Sequence, residues 1–263
     1  MNRIEEKMAQ LKEAGKKAFI TYTTAGLPDL DITKRIIRTQ EAAGIDVIEL
    51  GIPFSDPVAD GPVIQDASYK AILNGTTLKK VFELMKDIRN DGCNVPIIFM
   101  MYYNTIYHYG IKDFVKKCIE CGVDGLIVPD LPFEEQKELQ TAINEDENAP
   151  ILIQLVAPVS KQRIPMLLEN ARGFVYCVSQ MGVTGKGAKF HKDIRKYLEE
   201  VKSVSKVPVM MGFGIRTAQD VKPLKDVIDG AIVGSHFIKL LESSNFSDET
   251  ITTYIKTFKQ ELN

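Results

Sequence analysis

The chain has 263 residues, 26% of them charged, with 33 Lys and Arg against 35 Asp and Glu for a formal net charge of -2. A chain of that length buries roughly three quarters of its unfolded surface in one core, and the even charge balance leaves no basic field with which to hold nucleic acid or an anionic membrane. What is left is a globular metabolic protein.

Residues 1–17, MNRIEEKMAQLKEAGKK, place Ile4, Met8 and Leu11 at helical spacing among charges and lack the continuous apolar stretch of a signal peptide. No run approaches the ~18 apolar residues of a membrane span, so the expected location is the cytoplasm. Short apolar runs that read as strands then recur at 18–24, 47–51, 96–101, 125–129, 151–156, 174–178, 207–212 and 230–233, with helical periodicity between them. Asp31, Thr76, Ser160 and Thr217 are read as helix start signals, and 66–74 and 77–90 give two helical stretches between the second and third strands. Eight strand–helix units in about 250 residues predict an α/β fold, a (β/α)8 or TIM barrel with an extra N-terminal helix. A doubly wound open sheet is the runner-up, but it does not need eight similar units. No low-complexity tract or Ser/Gly linker divides the chain, so residues 1–263 read as a single domain.

The four cysteines, with nothing else pointing to secretion, read as reduced thiols. Cys118 and Cys121 form a CxxC at a predicted helix C-terminus, where the negative dipole end disfavours a thiolate. His108, His191 and His236 are scattered, so no metal site is expected and all seven residues read as packing.

Residues 47–65, VIELGIPFSDPVADGPVIQ, hold the expected chemistry. Glu49 lies inside an apolar strand, where a carboxylate must be neutralised, paired or poised for proton transfer; the alternative is a strand end in water. Asp56 and Asp60 follow in a Pro-rich loop, where turn and cap roles compete with function. In a barrel, strand C-termini and the loops after them face the active site. The last such loops are rich in glycine: Gly182 to Gly187, Gly212 to Gly214, then Gly234 with Ser235 ahead of a helix. Backbone N–H groups and a positive helix end converging there suit phosphate. No predicted strand ends in the lysine a Schiff base wants, and clustered metal ligands are missing. Proton transfer by carboxylates on a phosphorylated substrate that carries its own electron sink remains.

The segments IELGIPFSDPVADGP at 48–62, GVDGLIVPDLP at 122–132, YCVSQMGVTG at 176–185 and GFGI at 212–215 resemble, in the same order, the motifs of the tryptophan synthase alpha subunit family. The resemblance covers essentially the whole chain. It implies a lyase that cleaves indole-3-glycerol phosphate by a retro-aldol reaction to indole and glyceraldehyde 3-phosphate in L-tryptophan biosynthesis. The indole passes to a beta subunit carrying pyridoxal phosphate, in an alpha2beta2 heterotetramer, and this chain needs no cofactor. The resemblance further implies Glu49 as general acid–base and Asp60 as the acceptor of the indole N–H. It places Gly185, Gly214, Gly234 and Ser235 on phosphate and makes Tyr22, Tyr102 and Ile127 walls of the indole pocket. Tyr176 and Thr184 assist, Thr184 from a loop that closes over substrate and meets Asp60. Without the resemblance, Ile127 is ordinary barrel core. Two positions depart from the family pattern: Tyr22, where Phe is expected, and Gln180, where many relatives carry Arg.

The apolar residues Pro53, Phe54, Pro57 and Val58, beside charged Asp56, read as a docking loop for the beta subunit; a lid packed on its own barrel is the alternative. Two rival functions stay open on sequence: another phosphosugar barrel enzyme, and an idle subunit that only activates a partner.

Overall fold

The computed structural model describes residues 2–178, 193–212 and 214–263. Its first helix, α1 (Arg3–Glu13), is capped by Asn2 and leads to β1 (Ala18–Thr24). There follow α2 (Leu30–Ala42), β2 (Val47–Gly51), α3 (Pro62–Leu73), α4 (Leu78–Asn90), β3 (Ile97–Met100), α5 (Tyr103–Tyr109), α6 (Ile111–Cys121) and β4 (Gly125–Ile127). The second half holds α7 (Lys137–Asn144), β5 (Ile151–Leu152), β6 (Gln154–Val156), α8 (Ile164–Leu168), β7 (Val175–Val178), α9 (Ile194–Val204) and β8 (Val209–Gly212). It closes with α10 (Ala218–Val221), β9 (Gly230–Val233), α11 (Ser235–Ser243) and α12 (Asp248–Leu262).

All strand pairs are parallel, in the order β5-β4-β3-β2-β1-β9-β8-β7-β6. The two ends of that ladder are one piece of chain, because only Ile153 separates β5 from β6. Ile151 is in register with Gly125 on one side, and Gln154 with Val175 on the other. The fifth strand expected at 151–156 is thus split where it turns from one neighbour to the next, and through it the sheet closes into a (β/α)8 barrel. The other strands lie within one or two residues of their expected bounds. Full burial of β1, β2, β3 and β9 accounts for their unbroken apolar character, since helices cover the outside while side chains fill the inside.

Three aspartates that the sequence did not single out fasten the strand N-termini. Asp46, Asp124 and Asp229 stand one residue before or at the entry to β2, β4 and β9. Each accepts a backbone N–H from the preceding strand, from Phe19, Ile97 and Val209 respectively, all at 2.8 Å. Each also pairs with a base: Lys259 at 2.7 Å, Arg89 at 2.6 Å and Lys202 at 2.7 Å. Asp124 takes a second cation, Arg3 at 2.9 Å, so α1 is tied across the N-terminal end of the barrel. Ile4 plugs that end: a Cβ on Gly125 would lie 2.8 Å from Ile4 Cδ1.

Helix starts differ from the expected ones in detail. Asp29, not Asp31, caps α2 by accepting from Ile32 N at 2.7 Å, and Thr77, not Thr76, caps α4. Thr76 is instead packed over Gly26, and Ser160 lies inside a 3-10 turn, Pro158–Arg163. Thr217 caps α10 as expected, with Asp220 completing a capping box. Cys118 and Cys121 are buried on α6, which ends at Gly122 in the left-handed conformation with φ +69. Burial pushes the Cys118 thiol well above its usual range, in keeping with packing. Among the described residues no helix is long and apolar enough to cross a membrane, and no group of three or more metal-ligating side chains forms.

Candidate active site

Side-chain alternation along β1 sets the site. Thr21 and Thr23 bond to Gln40 on α2, so they face the helices, and Tyr22 between them points into the barrel. Glu49 is the register partner of Tyr22 on β2, and Ile98 is its partner on β3. The strand therefore delivers Glu49 to the barrel interior, 4% exposed. No hydrogen-bond donor among the described residues offsets that dehydration, and burial, aided by the Asp60 charge, pushes the carboxyl up to about 8. A strand end in water is excluded.

Asp60 closes the loop between β2 and α3. The helix is capped by Gly61 with Pro62 in the first turn, so Asp60 is not its cap, and its carboxylate turns inward, 3% exposed. Burial raises it to about 6, held back by the Tyr102 O–H, which donates to Asp60 Oδ2 at 2.9 Å. Tyr102 in turn accepts from Ala59 N at 3.1 Å and stacks on Phe54, with ring centroids 5.1 Å apart. Tyr102 was expected only as a wall of the indole pocket. Its bond to Asp60 joins two loops 42 residues apart, and no spacing in the sequence signals it. Asp56 is exposed and accepts from Ser55 Oγ at 2.6 Å, so of the two loop aspartates only Asp60 enters the site.

Tyr22 and Tyr176 approach Glu49 from different sides of the barrel. A Cβ on Gly51 would lie 2.0 Å from the Tyr22 hydroxyl, and one on Gly212 would lie 2.4 Å from that of Tyr176. Each ring occupies the space its neighbour's missing side chain leaves. Burial, then carboxylate charge from Asp60 and Glu49, holds both phenols far above their usual range, so both stay protonated. Ile127, the last residue of β4, is 1% exposed and in register with Met100.

On the opposite rim, Gly214 follows β8 with φ +75, and Gly234 links β9 to α11. Ser235 opens α11, and its Oγ is buried with no hydrogen-bond partner among the described residues. An unpaired hydroxyl at a helix N-terminus is suited to an anion, because helix N–H groups and the dipole converge there. The two rims meet along Tyr22: a Cβ on Gly234 would lie 3.7 Å from Tyr22 Cβ. Thr184 and Gly185, with Gln180, His191 and the rest of the glycine-rich stretch from Gly182 to Gly187, lie outside the described residues.

A closed parallel barrel with two dehydrated carboxylates at one side of its mouth and an anion-ready helix start at the other belongs to the acid–base enzymes that act on small phosphorylated substrates. Comparison with known proteins narrows the class. A family model described as tryptophan synthase alpha chain matches residues 8–263. A curated tryptophan synthase alpha chain of Lachnospira eligens is 71% identical over 263 residues, spanning 100% of both chains. Among solved structures, a tryptophan synthase of Mycobacterium tuberculosis superposes with a TM-score of 0.88 at 29% identity, covering 99% of this chain and 98% of that one. The tryptophan synthase subunit alpha of Legionella pneumophila str. Paris gives a TM-score of 0.88 at 30% identity, covering 100% and 98%. The chain belongs to the tryptophan synthase alpha chain family. It is a lyase that cleaves indole-3-glycerol phosphate to indole and glyceraldehyde 3-phosphate, and the indole goes on to the beta subunit. Alpha chains of this family carry no cofactor; pyridoxal phosphate belongs to the beta subunit.

Proposed function

We propose that Glu49 and Asp60 divide the chemistry of this cleavage between them. The observation that supports the division is the separation of their proton affinities: Asp60, near 6, is ionised at neutral pH, whereas Glu49, near 8, is largely protonated. Protonated Glu49 gives its proton to indole C3, which interrupts the aromatic ring and turns it into an electron sink. Ionised Asp60 accepts the indole N–H and stabilises the positive charge that develops on that nitrogen. The Glu49 carboxylate then takes the proton of the glycerol hydroxyl as the carbon–carbon bond breaks. The bonding electrons return to the ring, the hydroxyl becomes the aldehyde, and Glu49 ends protonated as it began.

Gly185, Gly214, Gly234 and Ser235 hold the phosphate. Tyr22, Tyr102 and Ile127 wall the indole, Tyr176 assists beside Glu49, and Thr184 closes over Asp60. Pro53, Phe54, Asp56 and Pro57 dock on the beta subunit in an alpha2beta2 heterotetramer. Support for the docking comes from Val58, 74% exposed beside them, and from Phe54, whose ring rests on the tyrosine that holds Asp60. Residues 1–263 act as one catalytic domain, a reading supported by the pairing of β1 with β9 near the far end of the chain. The reaction belongs in the cytoplasm.

The test is indole release from indole-3-glycerol phosphate by wild type and Glu49→Gln, each with and without a beta subunit. Near silence in the mutant and acceleration of the wild type by the partner are expected. Unimpaired release by a folded Glu49→Gln would remove Glu49 from the chemistry, and fast release that ignores the partner would mean a stand-alone lyase.

A further inference from the structure

Tyr22 carries a hydroxyl that nothing in the reaction above uses. The side chain points into the barrel from β1, directly across from Glu49 on β2. It leans over Gly51, and its oxygen stands within 2.0 Å of where a Gly51 Cβ would be. Residues 49 and 51 share one face of the strand, so the hydroxyl lies one layer nearer the barrel mouth than Glu49, at the level where the loop bearing Asp60 begins. Its one hydrogen-bond contact among the described residues is Thr24 Oγ1, which donates to it across 3.5 Å, the long limit of such a bond. That long contact is all that holds the hydroxyl among the described residues, in a residue only 4% exposed. A buried hydroxyl held by so long a contact has hydrogen-bonding capacity left for a closer partner. The carboxylates that bear on this phenol are Asp60 first and Glu49 second. The opposite end of the side chain, at Cβ, abuts Gly234 of the phosphate rim, so the ring runs alongside the path from phosphate to carboxylates.

We propose that Tyr22 is a specificity-determining residue whose hydroxyl donates a hydrogen bond to an acceptor on the substrate's ring beside the N–H that Asp60 receives. The inference rests on the assignment of the indole N–H to Asp60. Indole itself has no acceptor there and leaves the hydroxyl on its long contact with Thr24. An indole with nitrogen in place of the ring CH next to the bridgehead, 7-azaindole, presents donor and acceptor side by side. It satisfies Asp60 and Tyr22 together. Pocket groups built to hydrogen-bond a ligand discriminate more sharply than apolar walls do.

The experiment is the reverse condensation of glyceraldehyde 3-phosphate with indole or 7-azaindole, run on the full chain as wild type, Tyr22→Phe and Asp60→Asn, with calorimetric binding of both ring compounds alongside. The readout is the ratio of kcat/KM for 7-azaindole to that for indole, in which the lower intrinsic reactivity of the aza ring and any general loss of activity cancel between variants. Tyr22→Phe is expected to lower that ratio about tenfold, the contribution of one hydrogen bond, and to weaken 7-azaindole binding while indole binding changes far less. An unchanged ratio, or equal losses for both rings, overturns the proposal. A ratio that falls in Tyr22→Phe while Asp60→Asn leaves indole binding intact keeps the hydroxyl's role and refutes the assignment of Asp60 instead.

Discussion

At the scale of the residue, the governing quantity is dehydration. Glu49 is raised to about 8 because a buried carboxyl facing a second carboxylate loses more by ionising than it would in water. The proposed division of labour needs Asp60 ionised and Glu49 protonated, so the pH profile of kcat/KM should rise through about 6, fall through about 8 and peak near 7. Tyr102→Phe removes the donor that holds Asp60 down. The acid limb should then move to higher pH while the basic limb stays, a shift that loss of packing alone would not produce. Stability carries the same signature. The folded chain holds the Glu49 proton more tightly than the unfolded chain does, so Glu49 penalises folding increasingly as pH rises from about 4.5 to 8. Glu49→Gln should therefore stabilise the fold much more at pH 9 than at pH 5, by an amount on the order of a few kcal/mol in urea unfolding. Equal gains at the two pH values would mean that Glu49 is ionised throughout.

At the scale of the element, strands deliver the chemistry and aspartates hold the strands. Asp124 is the most deeply committed of the three strand-entry acids, since its partner Arg89 has a side chain only 11% exposed. Asp124→Ala should leave the Arg89 charge without its counter-ion, though its Nε and Nη1 keep the carbonyls of Gly122, Cys93 and Val95, and the Ile97 N–H without its acceptor, at a cost of about 3 kcal/mol, measured by urea unfolding. Asp229→Ala, whose side chain and that of its partner Lys202 are each more than a third exposed, should cost about 1 kcal/mol or less of ion-pair energy. The opposite order would remove the buried pair as the clamp. Gly51 has a comparable structural duty. Its missing side chain is the space that Tyr22 fills, so Gly51→Ala must displace the phenol, and activity should drop more than stability.

At the scale of the whole molecule, the loop from Pro53 to Asp60 joins a proposed partner surface to the reacting centre. Phe54 stacks on Tyr102, and Tyr102 bonds Asp60, so the proposed docking surface and the proposed catalytic carboxylate are linked through three side chains in contact. Pro57→Asp should weaken binding of the beta subunit at least tenfold by titration calorimetry, as expected for a charge buried in an apolar contact, while circular dichroism of the free chain is unchanged. Undiminished affinity would place the partner elsewhere.

The sequence by itself determined the repeat of strand and helix, because buried parallel strands require short unbroken apolar runs and helices require their own period. It also determined Glu49, since a carboxylate in such a run has no cheap explanation, and the glycine-rich last loops. Its motifs, matched in order to a family, supplied the rest of the site that could be named. Only the tertiary structure decided what joins residues far apart in the chain. The split of the fifth strand at Ile153 follows from a change of neighbours that no local pattern encodes. The three strand-entry aspartates look like ordinary loop residues until the preceding strand's N–H and a distant base meet them. By spacing alone Asp60 reads as a turn residue, and the bond from the Tyr102 hydroxyl is what fixes its inward place. In each case the deciding interaction is a hydrogen bond or ion pair across a long sequence separation, and its energy exists only after the barrel has closed.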